Sequence, residues 1–234
     1  MTTTGARGRI IVAVLAAALL TGCGPQGPVE FGSLEVSGEI MTVPGTTPGQ
    51  RVPPEQWPTA CQLVTESEIM SLLPQADVSA SSRRVEVVNL ATGAQEGMAP
   101  AGACTFEVRL PGAGRGDLAQ IFVGIVAVGD PRMMESSLDS PPRDLFGQES
   151  GDDNRQDHGS DLGPRRCFTL GEASTPALTP VLRCRHGALQ FDLSGAAARA
   201  EIPGADDDPS RNRVLYENVI IALAEAVAAK IPVD

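Results

Sequence analysis

Four cysteines, Cys61, Cys104, Cys167 and Cys184, restrict the folds open to this chain more than any other feature. An even number of thiols in an exported domain reads as two disulfides, and four residues allow three connectivities. Sequential pairing, Cys61 with Cys104 and Cys167 with Cys184, is expected, because each bond then ties neighbouring elements. A zinc site is the competing use of the same thiols. No two of them have the close spacing of a zinc motif, and only His158 and His186 stand ready to join them, so no metal is expected.

Export itself is read from the N-terminus. Arg7 and Arg9 precede an apolar run over residues 10–20 that is too short to cross a bilayer with ease, and Leu20-Thr21-Gly22-Cys23 closes it. The run resembles the lipobox of bacterial lipoproteins. That resemblance makes residues 1–22 a signal peptide and Cys23 the lipid-attachment residue, carrying diacylglycerol and a further acyl chain such as palmitate. Two or more chains, at about 0.8 kcal/mol per buried methylene, hold a protein at a membrane without help from charge. Charge gives no help here. The formal net charge is −11, and cleavage removes two more positive residues. An acidic chain with no Lys/Arg run excludes a nucleic-acid backbone as partner and disfavours electrostatic docking on anionic lipid. Lys230 is the only lysine among 18 Lys+Arg residues; with abundant Ala, Gly and Val this looks like a GC-rich, actinobacterial genome.

Residues 23–58 hold seven Pro and six Gly, the composition of a flexible tether that lets a domain stand away from the membrane. A weak edge strand is conceivable near residues 35–43, and Trp57, the only tryptophan, is expected to plug a core edge. One globular domain, residues 59–234, follows. Thr65 and Glu68 form a capping box that opens a short helix ended by Pro74; Glu66 and Glu68 are better explained by that cap than as paired catalytic carboxylates. Strands are expected at 83–90, 104–110, 118–128, 165–170, 178–184 and 188–194. The 104–110 strand puts Cys104, Phe106 and Val108 on one face, and a hairpin at Arg185-His186-Gly187 joins the last two. Gly124 and Gly129 mark a close helix or a strand end. Asp130-Pro131 starts a helix to about Leu138. Residues 140–164 form an acidic loop in which Asp152, Asp153, Asn154, Asp157 and Asp161 lack the order of a calcium loop. A final helix to Lys230 follows the acidic turn at Asp206, Asp207 and Asp208. The fold class is α+β: one domain, a mostly antiparallel sheet, a short N-terminal helix, a long C-terminal helix packed on one face, and two disulfides.

The run from Cys61 to Leu73, the Cys104-Thr105-Phe106 strand and the Ala-rich helix ending in Ile231-Pro232 resemble the actinobacterial lipoproteins grouped as DUF3558. That resemblance implies an exported lipoprotein with a mixed sheet of the Mog1/PsbP-like kind, and no established chemistry. Asn218-Val219-Ile220 is also similar to a segment in the extracytoplasmic sensor domains of mycobacterial Ser/Thr kinases.

No nucleophile motif, His-Glu-x-x-His run, glycine-rich phosphate loop or dinucleotide fingerprint occurs. The expected function is a non-catalytic binding module, with no catalytic residue and no cofactor, anchored on the extracytoplasmic face of the cell membrane. Its partner is an envelope protein or a small ligand. The alternatives are an accessory subunit of an envelope assembly and, less favoured, a two-carboxylate hydrolase.

Overall fold

Cys104, Phe106 and Val108 point to one side of their strand, and that side is the inside of the molecule, each being buried. The structure, a computed structural model, describes residues 28–88, 94–111, 119–138, 155–158, 166–170, 180–197 and 201–232. Its elements are α1 (Glu66–Leu72), β1 (Asp77–Val88), β2 (Gln95–Arg109), β3 (Ala119–Val128), α2 (Pro131–Leu138), β4 (Arg155–Asp157), β5 (Arg166–Leu170), β6 (Val181–His186), β7 (Leu189–Ala196), α3 (Asp208–Leu215), a π turn (Tyr216–Ile220) and α4 (Ile221–Lys230). The strands form one sheet in the order β1-β2-β3-β7-β6-β5-β4. All neighbours are antiparallel. The fold is the α+β arrangement that the sequence implies.

Register decides what each face buries. Val123 lies opposite Leu193 and Leu193 opposite Leu182, so three central strands send apolar side chains the same way. They meet Ile69 and Leu72 of α1, Leu215 of α3, Val219 of the π turn, and Leu223 and Val227 of α4 in a single core. Gly195 of β7 permits that approach. A Cβ there would stand 3.0 Å from Ile220 and 3.2 Å from Leu215. At the hairpin between β6 and β7, Gly187 takes a φ of +55°, which a first turn residue of the II′ kind requires.

Three expectations are corrected. The first is the tether over residues 23–58, because residues 29–52 lie along the domain as a strap. Val29, Met41 and Val52 are buried in the core. Backbone bonds run from Val29 N–H to Glu201 O, Gly32 N–H to Leu72 O, Met41 N–H to Lys230 O and Val52 N–H to Val128 O. Glycine serves contact here as well as freedom, since a Cβ on Gly32 would come within 2.1 Å of the Ser71 carbonyl oxygen. The second correction concerns residues 35–43, which make no strand; the chain bends at Gly38, with φ of +92°. The third is the loop 140–164, where Arg155–Asp157 adds the edge strand β4. Gly129 does mark a strand end, and its close neighbours are Gln50 and Arg51 of the strap.

Helix α1 begins as its capping box dictates. Glu68 N–H donates to Thr65 Oγ1 at 3.2 Å, and Thr65 N–H donates to Glu68 Oε2 at 2.8 Å. Ser37 of the strap bonds the same Thr65 hydroxyl at 2.6 Å. Thr65→Ala is therefore expected to lower stability by about 1 kcal/mol, seen as a lower urea midpoint at unchanged slope.

Candidate functional site

Three groups of polar side chains stand out among the described residues. The first lies beneath the strap. Lys230 at the end of α4 donates from Nζ to both oxygens of Glu68, at 2.7 and 2.8 Å, with 3% and 0% of the two side chains exposed. Glu68 also accepts from the backbone N–H of Thr65 and, at 3.0 Å, of Ser37. Burial pushes the Lys230 ammonium below its ordinary value, against the opposing pull of the Glu68 carboxylate. The pair joins the first helix to the last. Its chemistry is mutual neutralisation, since Glu68 fills its acceptor sites without solvent.

The second group is on the opposite face of the sheet. Arg183 and Asp192 stand directly across β6 and β7, and the guanidinium grips the carboxylate with two bonds of 2.7 and 2.8 Å. Burial alone would lower the Arg183 pKa; the Asp192 charge and hydrogen bonds outweigh it and raise it above its ordinary value.

A line of hydroxyls forms the third. His158 Nε2 lies 2.6 Å from Thr169 Oγ1, which lies 2.5 Å from the Tyr216 hydroxyl. Burial raises the Tyr216 pKa, and the bond to Thr169 works against that rise. Tyr216 opens the π turn, so this line ties the β4–β5 edge to the irregular point of the C-terminal helix. Neither the line nor the Arg183–Asp192 pair is visible from sequence spacing. Strand register creates both.

Of the residues singled out from sequence, Cys61 bonds Cys104 and Cys167 bonds Cys184. The sequential connectivity is thus the one present, with Cys167 and Cys184 opposite each other across β5 and β6. Trp57 packs partly buried against the core and donates from Nε1 to Val52 O at 2.9 Å, which makes it a clasp for the strap's end. Glu66 accepts from Ala80 N–H at 2.9 Å, so the two helix-start carboxylates serve different partners. His186 is buried on the core face of β6, away from His158. Among the described residues no three His, Cys, Asp or Glu side chains converge as metal ligands. Cys23, Asp152, Asp153, Asn154 and Asp161 lie outside the described residues.

A shallow hollow by Asp77, Val78, Ser79, Glu107 and Arg109 holds about 60 Å³, far below the roughly 300–1,000 Å³ of small-molecule sites. No helix among the described residues is long and apolar enough to cross a membrane. No family model, curated protein or solved structure matches this chain.

Proposed function

We propose that this chain is an exported lipoprotein, held on the extracytoplasmic face of the cell membrane by acyl chains on Cys23, whose domain is a non-catalytic binding module of the envelope. The observation that carries the reading is the pairing of all four domain cysteines into two disulfides downstream of a lipobox-like Leu20–Cys23 run. Disulfides persist where thiols are kept oxidised, and the leader supplies a route there. The resemblance of Cys61–Leu73 and Cys104–Phe106 to DUF3558 lipoproteins points the same way.

One observation favours the second reading, a subunit of an envelope assembly. Strand β1 is a 12-residue edge, exposed along nearly all its length, and such an edge accepts an added strand from a partner.

Metabolic palmitate labelling and fractionation test the anchor. The wild-type chain is expected in the membrane fraction with label, and Cys23→Ser is expected to lose the label and shift to the soluble or uncleaved pool. Label that persists in Cys23→Ser sinks the assignment.

A further inference from the structure

The docked strap changes where an anchored domain would sit. If residues 23–58 were a free coil, the domain would float tens of ångströms above the bilayer in any orientation. Instead Val29 is 3% exposed and its N–H is bonded to Glu201 O at 2.9 Å. Only residues 24–28 separate it from Cys23. At ~3.6 Å per residue, a fully extended lead of that length reaches roughly 20 Å, whatever path it takes.

The corner so held is definite. Val29 is fastened to the turn closed by the Ile202–Ala205 bridge, which leads straight into the N-terminus of α3. Its exposed residues include Glu30, Glu201, Pro203, Asp206, Asp207 and Asp208. Sheet register gives the corner a direction. Ala197, one residue past β7, is bonded to Asn212 of α3. Ala196 at the end of β7 lies opposite Gln120, and Gln120 opposite Glu107, so the corner belongs to the Arg109 end of β2. The β1–β2 hairpin runs the other way. Strand β2 pairs with β3 only from Ala103 onward, and β1 advances from Ser79, opposite Glu107, to Val88, opposite Gln95, so the hairpin tip stands ~30 Å along the sheet from the corner at ~3.3 Å per residue.

We infer that the Val29–Glu201 corner faces the bilayer, with the lipid headgroup surface as its partner, and that the β1–β2 hairpin tip points away from it. This rests on the lipid anchor at Cys23. The carboxylates of the corner outnumber the neighbouring guanidiniums of Arg211 and Arg213, so the short lead fixes the approach and attraction to anionic lipid does not. A partner protein then meets the hairpin arm, with its exposed edge β1, at the side remote from the membrane.

The test uses the full lipidated protein in zwitterionic vesicles containing an acceptor dye on lipid headgroups, with a donor on Pro203→Cys or on Gln95→Cys. Mass spectrometry of the N-terminal peptide first establishes lipid on Cys23. Energy transfer from position 203 is expected to exceed that from position 95 several-fold, and a 20-residue Gly/Ser insertion between Gly27 and Pro28 is expected to erase most of the difference. Equal transfer from the two positions in verified lipoprotein overturns the orientation alone. Absence of lipid on Cys23 overturns the anchor and the orientation with it.

Discussion

Lys230→Met is expected to lower the unfolding free energy by ~3–5 kcal/mol, because it leaves a buried carboxylate without its cation. Glu68 is 0% exposed and would keep only the two backbone N–H groups of Thr65 and Ser37. Arginine is no substitute despite being the common cation of this chain. Its planar fork is larger than an ammonium, and Lys230 is 2% exposed with Met41 N–H bonded to its carbonyl. Lys230→Arg is therefore expected to destabilise as well, by overpacking beneath the strap. The companion is Lys230→Met with Glu68→Gln, which removes the charge but keeps an acceptor for the capping box; it is expected to recover more than half of the loss. Urea titrations of the three variants decide it. A single-variant loss below ~1 kcal/mol would mean that water reaches the pair and that the strap does not seal it.

That pair also shows what the sequence could and could not disclose. A carboxylate in the first turn of one helix and an ammonium in the last turn of another each suit the local backbone dipole, so both are explicable alone. Nothing in the spacing of Glu68 and Lys230 announces that they touch. The lone lysine of an Arg-rich chain was a signal of a different kind, and codon usage explains it only until its burial is seen.

The strands follow the same division. Cys104, Phe106 and Val108 alternate, and β3 is apolar from Ile121 onward, so both are legible as strands. The first half of β2, QEGMAPAGA, reads as loop, yet it pairs with β1 across a register shift near Val85. Pro100 is tolerated because β3 does not reach that far, leaving no second neighbour to ask for its missing N–H. Residues 77–82 carry three serines, Asp77 and Ala80 on the exposed edge, with Val78 alone packed against the core. The strap was hidden by its prolines and glycines. Pro-rich chain loses less conformational entropy on ordering, so a few anchors such as Val29, Met41, Val52 and Trp57 suffice to seat it on a surface already built. The disulfide pairing was legible for a simpler reason: Cys167 and Cys184 stand on strands adjacent both along the chain and in the sheet, and Cys61–Cys104 is the pairing left once that one forms.

Removing the first disulfide is expected to cost more than removing the second. Chain entropy alone gives ~4 kcal/mol for Cys61–Cys104, which spans 43 residues, and ~3 kcal/mol for Cys167–Cys184, which spans 17. Position in the fold widens that gap. Strands β5 and β6 are already paired in direct register, so the second bond reinforces a contact that hydrogen bonds also hold. Cys61 instead lies in a short 3-10 turn just before α1, and its bond to the fully buried Cys104 fastens that turn to β2. Losing it loosens the floor on which α1, the strap and the Glu68–Lys230 pair rest. Alanine is the right replacement, because serine would bury a hydroxyl in an apolar site at Cys104. Urea unfolding of Cys61→Ala/Cys104→Ala and of Cys167→Ala/Cys184→Ala should place the first variant at least ~1 kcal/mol below the second. The reverse order would mean that the β5–β6 edge, and not the junction of α1 with β2, is where this domain depends on its covalent links.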